Sequence, residues 1–208
     1  MELKDFFTRF ALISTDCMEA VENAAKPFCF RRSVTVVEQD KPCDYMFFFA
    51  TGLLRIGLTK KEHEDTVAFG GAGDVFLSLP TFFSNGPCTF TLTTLDECKG
   101  WKISIRRWRD LEKKYPELIA WMRDRLGVQM HAIEEAYRRF INTTPIERLE
   151  NFCNNYSQRP GKITSVPINE ITRIIPLKYI AQYIGVTQQT LSKLRRRQLK
   201  NPRKKQNL

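Results

Sequence analysis

The stretch Leu177 to Arg197, LKYIAQYIGVTQQTLSKLRRR, leaves the chain little freedom of local structure. Ile180, Ile184, Val186, Leu191 and Leu194 are spaced as the shared core of two short helices that cross at a steep angle. Ala181 puts a small side chain where those helices come closest. Gly185 lies between them, where the first helix must end in a left-handed residue that glycine adopts without strain. Thr187 then supplies a hydroxyl N-cap for the second helix. Counted from Leu177, the small residue at the fifth position, the glycine at the ninth and the apolar residues at the fourth, eighth, tenth, fifteenth and eighteenth match a helix-turn-helix.

If the second helix packs one side on that core, Gln188, Gln189, Ser192, Lys193 and Arg196 point outward, with Thr187 at its start and Arg197 beside them. Glutamine can bond an adenine edge in two places, and lysine and arginine reach guanine acceptors or phosphates. These seven residues are the candidate DNA-binding set. A helical hairpin with a merely solvated polar face is the competing reading, and charge decides against it. From Ile171 to the end there are ten basic residues and no acidic one, while the first 170 residues balance 23 against 23. The whole net charge of +10 therefore sits on and beside the helix-turn-helix, which is the footprint expected for a phosphate backbone. A basic tail alone would also suit a membrane surface, but nothing near it supplies the apolar face such binding needs.

Other classes recede on the same terms. No run of about eighteen apolar residues occurs, and MELKDFFTRF lacks the basic-then-apolar order of a signal peptide, so the expected location is the cytoplasm. Cys17, Cys29, Cys43, Cys88, Cys98 and Cys153 are scattered without CxxC spacing, which reads as buried thiols, an iron–sulfur cluster being the alternative. His63 and His131 are the two histidines, and neither stands in a pattern that argues for haem or another metal. Paired carboxylates, a nucleophile elbow and a Gly-Lys phosphate loop are all missing, so an enzyme is not expected.

Taken from the start, residues 3–25 read as two short helices with a cap near Ser14. From Pro27 to Ile105 the pattern changes to short strands and turns. Phe28 and Phe30, Val34 and Val36, then Phe90 and Leu92, and Trp101 and Ile103 alternate with polar neighbours. Tyr45 to Ala50 and Leu53 to Leu58 read as a hairpin about Thr51-Gly52, and Gly70, Gly71 and Gly73 end a further strand. Strands at such intervals over about eighty residues form a sandwich or roll.

Helical periodicity then resumes and runs nearly to Tyr156, with Pro116 suited to a first turn and Thr144 to a cap before Pro145. Ile119, Leu126, Ile133 and Phe140 recur every seven residues, with Met122, Gln129 and Ala136 between them. This seam packs either on its own roll or on a twin helix, and its length and strict spacing favour the twin. The predicted class is α+β: a β jelly roll in residues 1–115, a coiled-coil dimerisation helix in 116–142 and a helix-turn-helix domain in 143–208. Strands of a wing are expected before the motif, within residues 162–168, because QLKNPRKKQNL holds no strand pattern.

In this order of parts the chain resembles the Crp/Fnr family of bacterial transcription regulators over nearly its whole length. IAQYIGVTQQTLSKLRR carries most of the resemblance, with weaker support from YMFFFATGLLRIGL and GGAGDVF for a cyclic-nucleotide-binding-like roll. The resemblance implies a homodimer on a two-fold symmetric operator, with half-sites about one helical turn apart. It implies a winged helix-turn-helix in which Gln188, Gln189 and Lys193 read bases. It also implies an effector site in the turn after the glycines, where relatives that bind cyclic AMP carry a glutamate and, further on, an arginine. This chain has Asp74 at the first place, and no arginine between Arg55 and Arg106. A cyclic phosphate there would lack its charged partner, so cyclic AMP is not the expected effector and no cofactor is implied. Asp74, Phe76, Phe82, Phe83 and Phe90 are the candidate lining of a pocket for an unidentified small molecule, plain core being the other reading of the aromatics. RNA polymerase would be a partner of an activator, and no residue pattern marks where it would touch. A ligand-sensing module and a non-specific nucleic-acid binder are the alternative functions.

Overall fold

The computed structural model describes residues 1–8, 12–61, 63–157 and 168–200, with the backbone alone at 157 and 197–200. Residues 9–11, 62, 158–167 and 201–208 lie outside the described residues, and with them all of the expected wing segment except Ile168, which is helical.

A 3-10 turn at Leu3–Phe6 and the helix α1 (Thr15–Ala24) open the chain. Ser14 caps α1 by accepting the Cys17 N–H, as the sequence leads one to expect. The strands are β1 (Lys26–Phe30), β2 (Thr35–Val37), β3 (Tyr45–Thr51), β4 (Leu53–Lys60), β5 (His63–Gly71), β6 (Val75–Phe76), β7 (Thr91–Thr94) and β8 (Cys98–Ser104), with the short α2 (Leu79–Ser84) between β6 and β7. They form two 4-stranded sheets, β1-β8-β3-β6 and β2-β7-β4-β5. Every pairing is antiparallel.

The unbroken apolar run of β3 follows from its place. Met46 and Phe48 face the helices outside the sheet, while Phe47 and Phe49 face the space between the sheets. A strand covered on both sides has no reason to alternate. The same feature undoes the hairpin read at Thr51-Gly52, since β3 and β4 belong to different sheets. Gly52 has φ +104, and a Cβ there would lie 2.7 Å from Cys98 Cα, so the chain turns hard against β8 and crosses the sandwich. The tight hairpin is β4 with β5, where Lys60 faces His63 and Lys61 takes a left-handed φ of 58.

Helix α3 (Ile105–Lys114), capped by Ser104, and the start of α4 (Glu117–Asn142) cover the outer face of the first sheet. Trp108 and Trp121 are wholly buried there against Phe7 and Phe48. Their ring N–H groups stay satisfied, Trp121 donating to Phe6 O at 3.1 Å and Trp108 to Glu112 Oε1 at 2.7 Å. Helix α4 is thus anchored at its N-terminal end and runs out of the roll. Helix α5 (Pro145–Ser157) begins with a capping box in which Thr144 N–H and hydroxyl both donate to Glu147 Oε2 at 2.7 Å.

Candidate nucleic-acid interface

Helices α6 (Ile168–Ile174), α7 (Leu177–Ile184) and α8 (Gln188–Lys200) follow α5. Gly185 ends α7 at φ 71, ψ 42, and Val186 N–H returns to Ala181 O at 2.9 Å. Thr187 Oγ1 accepts the Thr190 N–H at 3.1 Å and starts α8. Ile180, Ala181, Ile184 and Leu191 are buried, with Val186 and Leu194 packed against them. The local code therefore produces the arrangement its residues specify. Helix α6 was not legible in advance, yet Ile168, Ile171 and Ile175 complete the same core with Leu149, Phe152 and Tyr156 of α5.

Turned away from that core, Thr187, Gln188, Gln189, Lys193 and Arg196 are exposed, and Ser192 is half-buried. The side chain of Arg197 lies outside the described residues. Among the described residues no ion pair engages Lys193 or Arg196, so no carboxylate neutralises them. The exposed face thus offers amide and hydroxyl groups beside unneutralised cations.

The stripe on α4 divides into two parts. Met122 is buried against its own roll and Leu126 half-buried there, so those two seam positions face inward at the anchored end. Ile119 is exposed, and beyond Leu126 the apolar residues are bare: Val128, Met130, Ile133, Tyr137, Phe140 and Ile141. Met130 and Tyr137 rather than Gln129 and Ala136 are the large apolar groups between the seven-residue positions. The reason is that 122 sits on the side of α4 that Trp108 and Phe7 already cover, and the face rotates away from the roll as the helix leaves it.

A junction that sequence reasoning missed joins the roll to the helix-turn-helix. Arg55 of β4 is only 3% exposed; its Nε donates to Thr66 Oγ1 and its Nη1 to Glu64 Oε2, both at 2.7 Å. Thr66 donates in turn to Gln182 Oε1 at 2.9 Å, and Gln182 Nε2 donates to Glu64 O at 2.8 Å. The Arg55 guanidinium lies 4.3 Å from the centre of the Tyr179 ring. Phe69 of β5 packs with Phe152 and Tyr183 in a triangle of rings 5.4–5.6 Å apart. Leu53 and Leu95 of the roll belong to the same buried cluster as the helix-turn-helix core. The i, i+3, i+4 spacing of Tyr179, Gln182 and Tyr183, which puts them on one side of α7, is the signal that could have pointed to a docked face.

The five residues proposed from sequence as an effector pocket do not converge. Asp74 Oδ2 accepts the Gly71 N–H at 2.8 Å and so closes its own turn. Phe76 packs between the sheets, Phe82 packs against the helical cluster, and Phe83 and Phe90 are exposed. Phe76 belongs to β6 and Phe82 and Phe83 to α2, so the elements that carry these rings part them. The structure does have an open cleft of about 1380 Å³, but it lies elsewhere, between β5, the exposed half of α4, α5, α7 and the start of α8. His63, His131, Ile133, Phe140, Gln182 and Thr187 are among its lining. His63 pairs with Asp65 at 2.9 Å, and His131 is exposed on α4.

Five of the six cysteines are buried and Cys29 is exposed. Burial pushes the thiols of Cys17, Cys43 and Cys98 up to about 11. Among the described residues no helix is long and apolar enough to cross a membrane.

Residues 28–115 match the model of the cyclic nucleotide-binding domain. The chain is 22% identical over 185 residues to a CRP-like cAMP-activated global transcriptional regulator of Mycobacterium tuberculosis, covering 88% of this chain and 82% of that protein. Its structure is similar to the c-di-GMP responsive global regulator CLP of Xanthomonas campestris, with a TM-score of 0.73 at 12% identity over 91% of this chain and 93% of that one. It is also similar to FixK2 of Bradyrhizobium japonicum, with a TM-score of 0.65 at 17% identity over 86% of each chain.

Proposed function

We propose that this chain, whose residues 28–115 match the cyclic nucleotide-binding domain and whose fold is similar to that of the regulators CLP and FixK2, is a sequence-specific DNA-binding regulator of the Crp/Fnr type. It acts as a homodimer on a two-fold symmetric operator. The observation that carries this reading is the exposed face of α8, where Gln188, Gln189, Lys193 and Arg196 stand over a buried Ile180, Ile184 and Leu191. A helix presented in this way enters the major groove with its first turns against base edges. Thr187 and Ser192 serve short contacts, and Arg197 adds to the backbone contacts that fix register.

The bare stripe of α4 supports pairing with a second copy. Ile119, Met130, Ile133, Tyr137 and Phe140 are large apolar side chains exposed along one helix, the kind of run that marks an interaction surface. Two such helices side by side would hold two recognition helices at a set distance. Residues 1–115 then serve as the sensor roll, 116–142 as the dimer helix and 143–208 as the DNA-binding domain.

Cyclic AMP is not the effector in this reading, although the Mycobacterium tuberculosis relative is named for its activation by it. Asp74 is occupied within its own turn, and Arg55 is buried with Glu64 and Thr66. Asp74 is thereby withheld from a ribose hydroxyl, and the Arg55 charge is already neutralised by the Glu64 carboxylate rather than offered to a cyclic phosphate. A change in the roll would reach the DNA-binding helices by two routes, through α4 and directly from the β4–β5 hairpin through Gln182.

The test is selection of bound sequences from a random DNA pool by the purified full-length protein at near-physiological salt, with and without cell extract. A recovered palindrome supports the reading. Retention that is equal across sequences, in both arms, would overturn it in favour of a non-specific binder.

A further inference from the structure

We propose that Arg148 is a positioning residue that sets the angle between α4 and the recognition helix, and through it the half-site spacing a dimer accepts; the inference rests on the DNA-binding reading above. Helix α5, which carries it, belongs by packing to the helix-turn-helix, since Leu149, Phe152, Cys153 and Tyr156 all lie in that core. The Arg148 side chain reaches the other way as well. Its Nε donates to Ile184 O at 2.8 Å, the last carbonyl of α7. Its Nη1 donates to Thr143 O at 2.6 Å and to Phe140 O at 3.2 Å, at the end of α4.

Two helix C-termini therefore meet on one guanidinium. Each presents carbonyls that have no partner inside its own helix and carries the negative end of its dipole. Among the described residues no ion pair involves Arg148, so these carbonyls are its counter-charge. Its planar face also covers the Phe140 ring, 4.6 Å from the ring centre. That ring in turn lies under the turn of the motif, with Cζ 3.0 Å from where a Cβ on Gly185 would be.

The consequence is mechanical. Only Thr143 and Thr144 separate α4 from α5, and Thr143 is extended, with φ −125 and ψ 148. Backbone alone would let α4 and the DNA-binding helices swing about this link. Arg148 spans that link from the side and ties α4 to Ile184, three residues before Thr187 starts α8. Arginine suits the task because its fork donates in several fixed directions at once, whereas lysine is a point charge on a flexible stem.

The experiment uses full-length wild type, Arg148→Ala and Arg148→Lys, and duplexes carrying two copies of the half-site that the wild type recovers by selection. The gap between half-sites is varied by single base pairs, and a duplex with one half-site is the reference. The wild type is expected to prefer one gap by about tenfold or more. Both variants should lose most of that preference while keeping their affinity for the single half-site and their dimer mass. Variants that retain the wild-type preference overturn the role of Arg148, as does a uniform loss on every duplex, single half-site included, which would mark a purely structural contribution. A wild type indifferent to the gap overturns the DNA reading itself and the inference with it. Arg148→Lys guards the test against an alanine variant that does not fold.

Discussion

Replacing Gly185 by alanine isolates the turn on which the helix-turn-helix depends. Gly185 sits at φ 71, ψ 42, where a Cβ costs about 1–2 kcal/mol in an L-residue. Against that, removing a glycine from the unfolded chain returns about 0.4–1 kcal/mol. The new Cβ would also stand 3.0 Å from Phe140 Cζ and 3.3 Å from Cε2, and the Arg148 guanidinium lies over the same ring, 4.6 Å from its centre. Some overpacking strain is therefore added. The first two effects leave a loss of about 0–1.6 kcal/mol, and strain near the low end of the usual ~1–3 kcal/mol for overpacking brings the net loss to about 1–2.6 kcal/mol, a fall in Tm of roughly 2–10 °C for a chain of this size. Gly127 is the internal control, because it is exposed in the middle of α4 and a Cβ there meets nothing within 4 Å. Gly127→Ala should raise helix stability by about 0.5–1 kcal/mol. Gly185→Asn separates the two costs, since asparagine tolerates the left-handed region but carries the same Cβ. Scanning calorimetry of the three variants reads all of this. A Gly185→Ala protein that melts at or above the wild type, or that moves in the same direction as Gly127→Ala, would refute the reasoning.

Other expectations are more direct. Ile133→Asp places a charge on the exposed stripe of α4 and should turn the dimer into monomer and weaken operator binding; unchanged mass in analytical ultracentrifugation would sink the seam assignment. Gln189→Ala should cost about 1–3 kcal/mol on the selected site and little on random DNA; equal losses on both would make Gln189 a backbone contact. In the native protein Cys29 alone should react quickly with a thiol reagent, the burial that raises Cys17, Cys43 and Cys98 to about 11 also keeping reagent out, and fast labelling of several thiols would contradict the packing. The Thr144 N–H and hydroxyl hold the Glu147 carboxyl below its ordinary value. A carboxyl lowered in the folded state contributes stability above the unfolded value and loses it as pH falls through the folded one. The difference in Tm between wild type and Glu147→Gln should therefore be present at neutral pH and vanish well below pH 4.5, the ordinary value of the group; a difference that grows on acidification would contradict the capping box.

Elements whose cause is local were legible before any coordinates. Ser14, Thr144, Gly185 and Thr187 each act on backbone within a few residues, and the structure places all of them as caps or as the left-handed end of a helix. The apolar spacing of Ile180, Ile184 and Leu191 likewise needs no distant partner to define a face. Hence the motif and the exposed Gln188, Gln189, Lys193 and Arg196 follow from the sequence by itself, as does the order of a roll, a long helix and a helical end.

Tertiary structure decided what distant chain segments do to one another. That β3 pairs with β8 and not β4 depends on residues 48 to 59 positions away, from Thr51 with Lys99 to Tyr45 with Ser104, and an apolar run buried on both faces holds no alternation to announce it. Which residues of α4 face inward was set by Trp108 and Phe7 meeting its first turns, so Met122 is covered while Met130 and Tyr137 are not. The docking of Gln182 on Thr66 and Glu64 joins residues more than a hundred positions apart. Arg148 carries no local signal of its contacts, which exist only once the ends of α4 and α7 are brought to it. Short-range sterics and hydrogen bonds are written in neighbouring residues; pairings across the fold are settled by which buried surfaces and orphaned polar groups can be satisfied together.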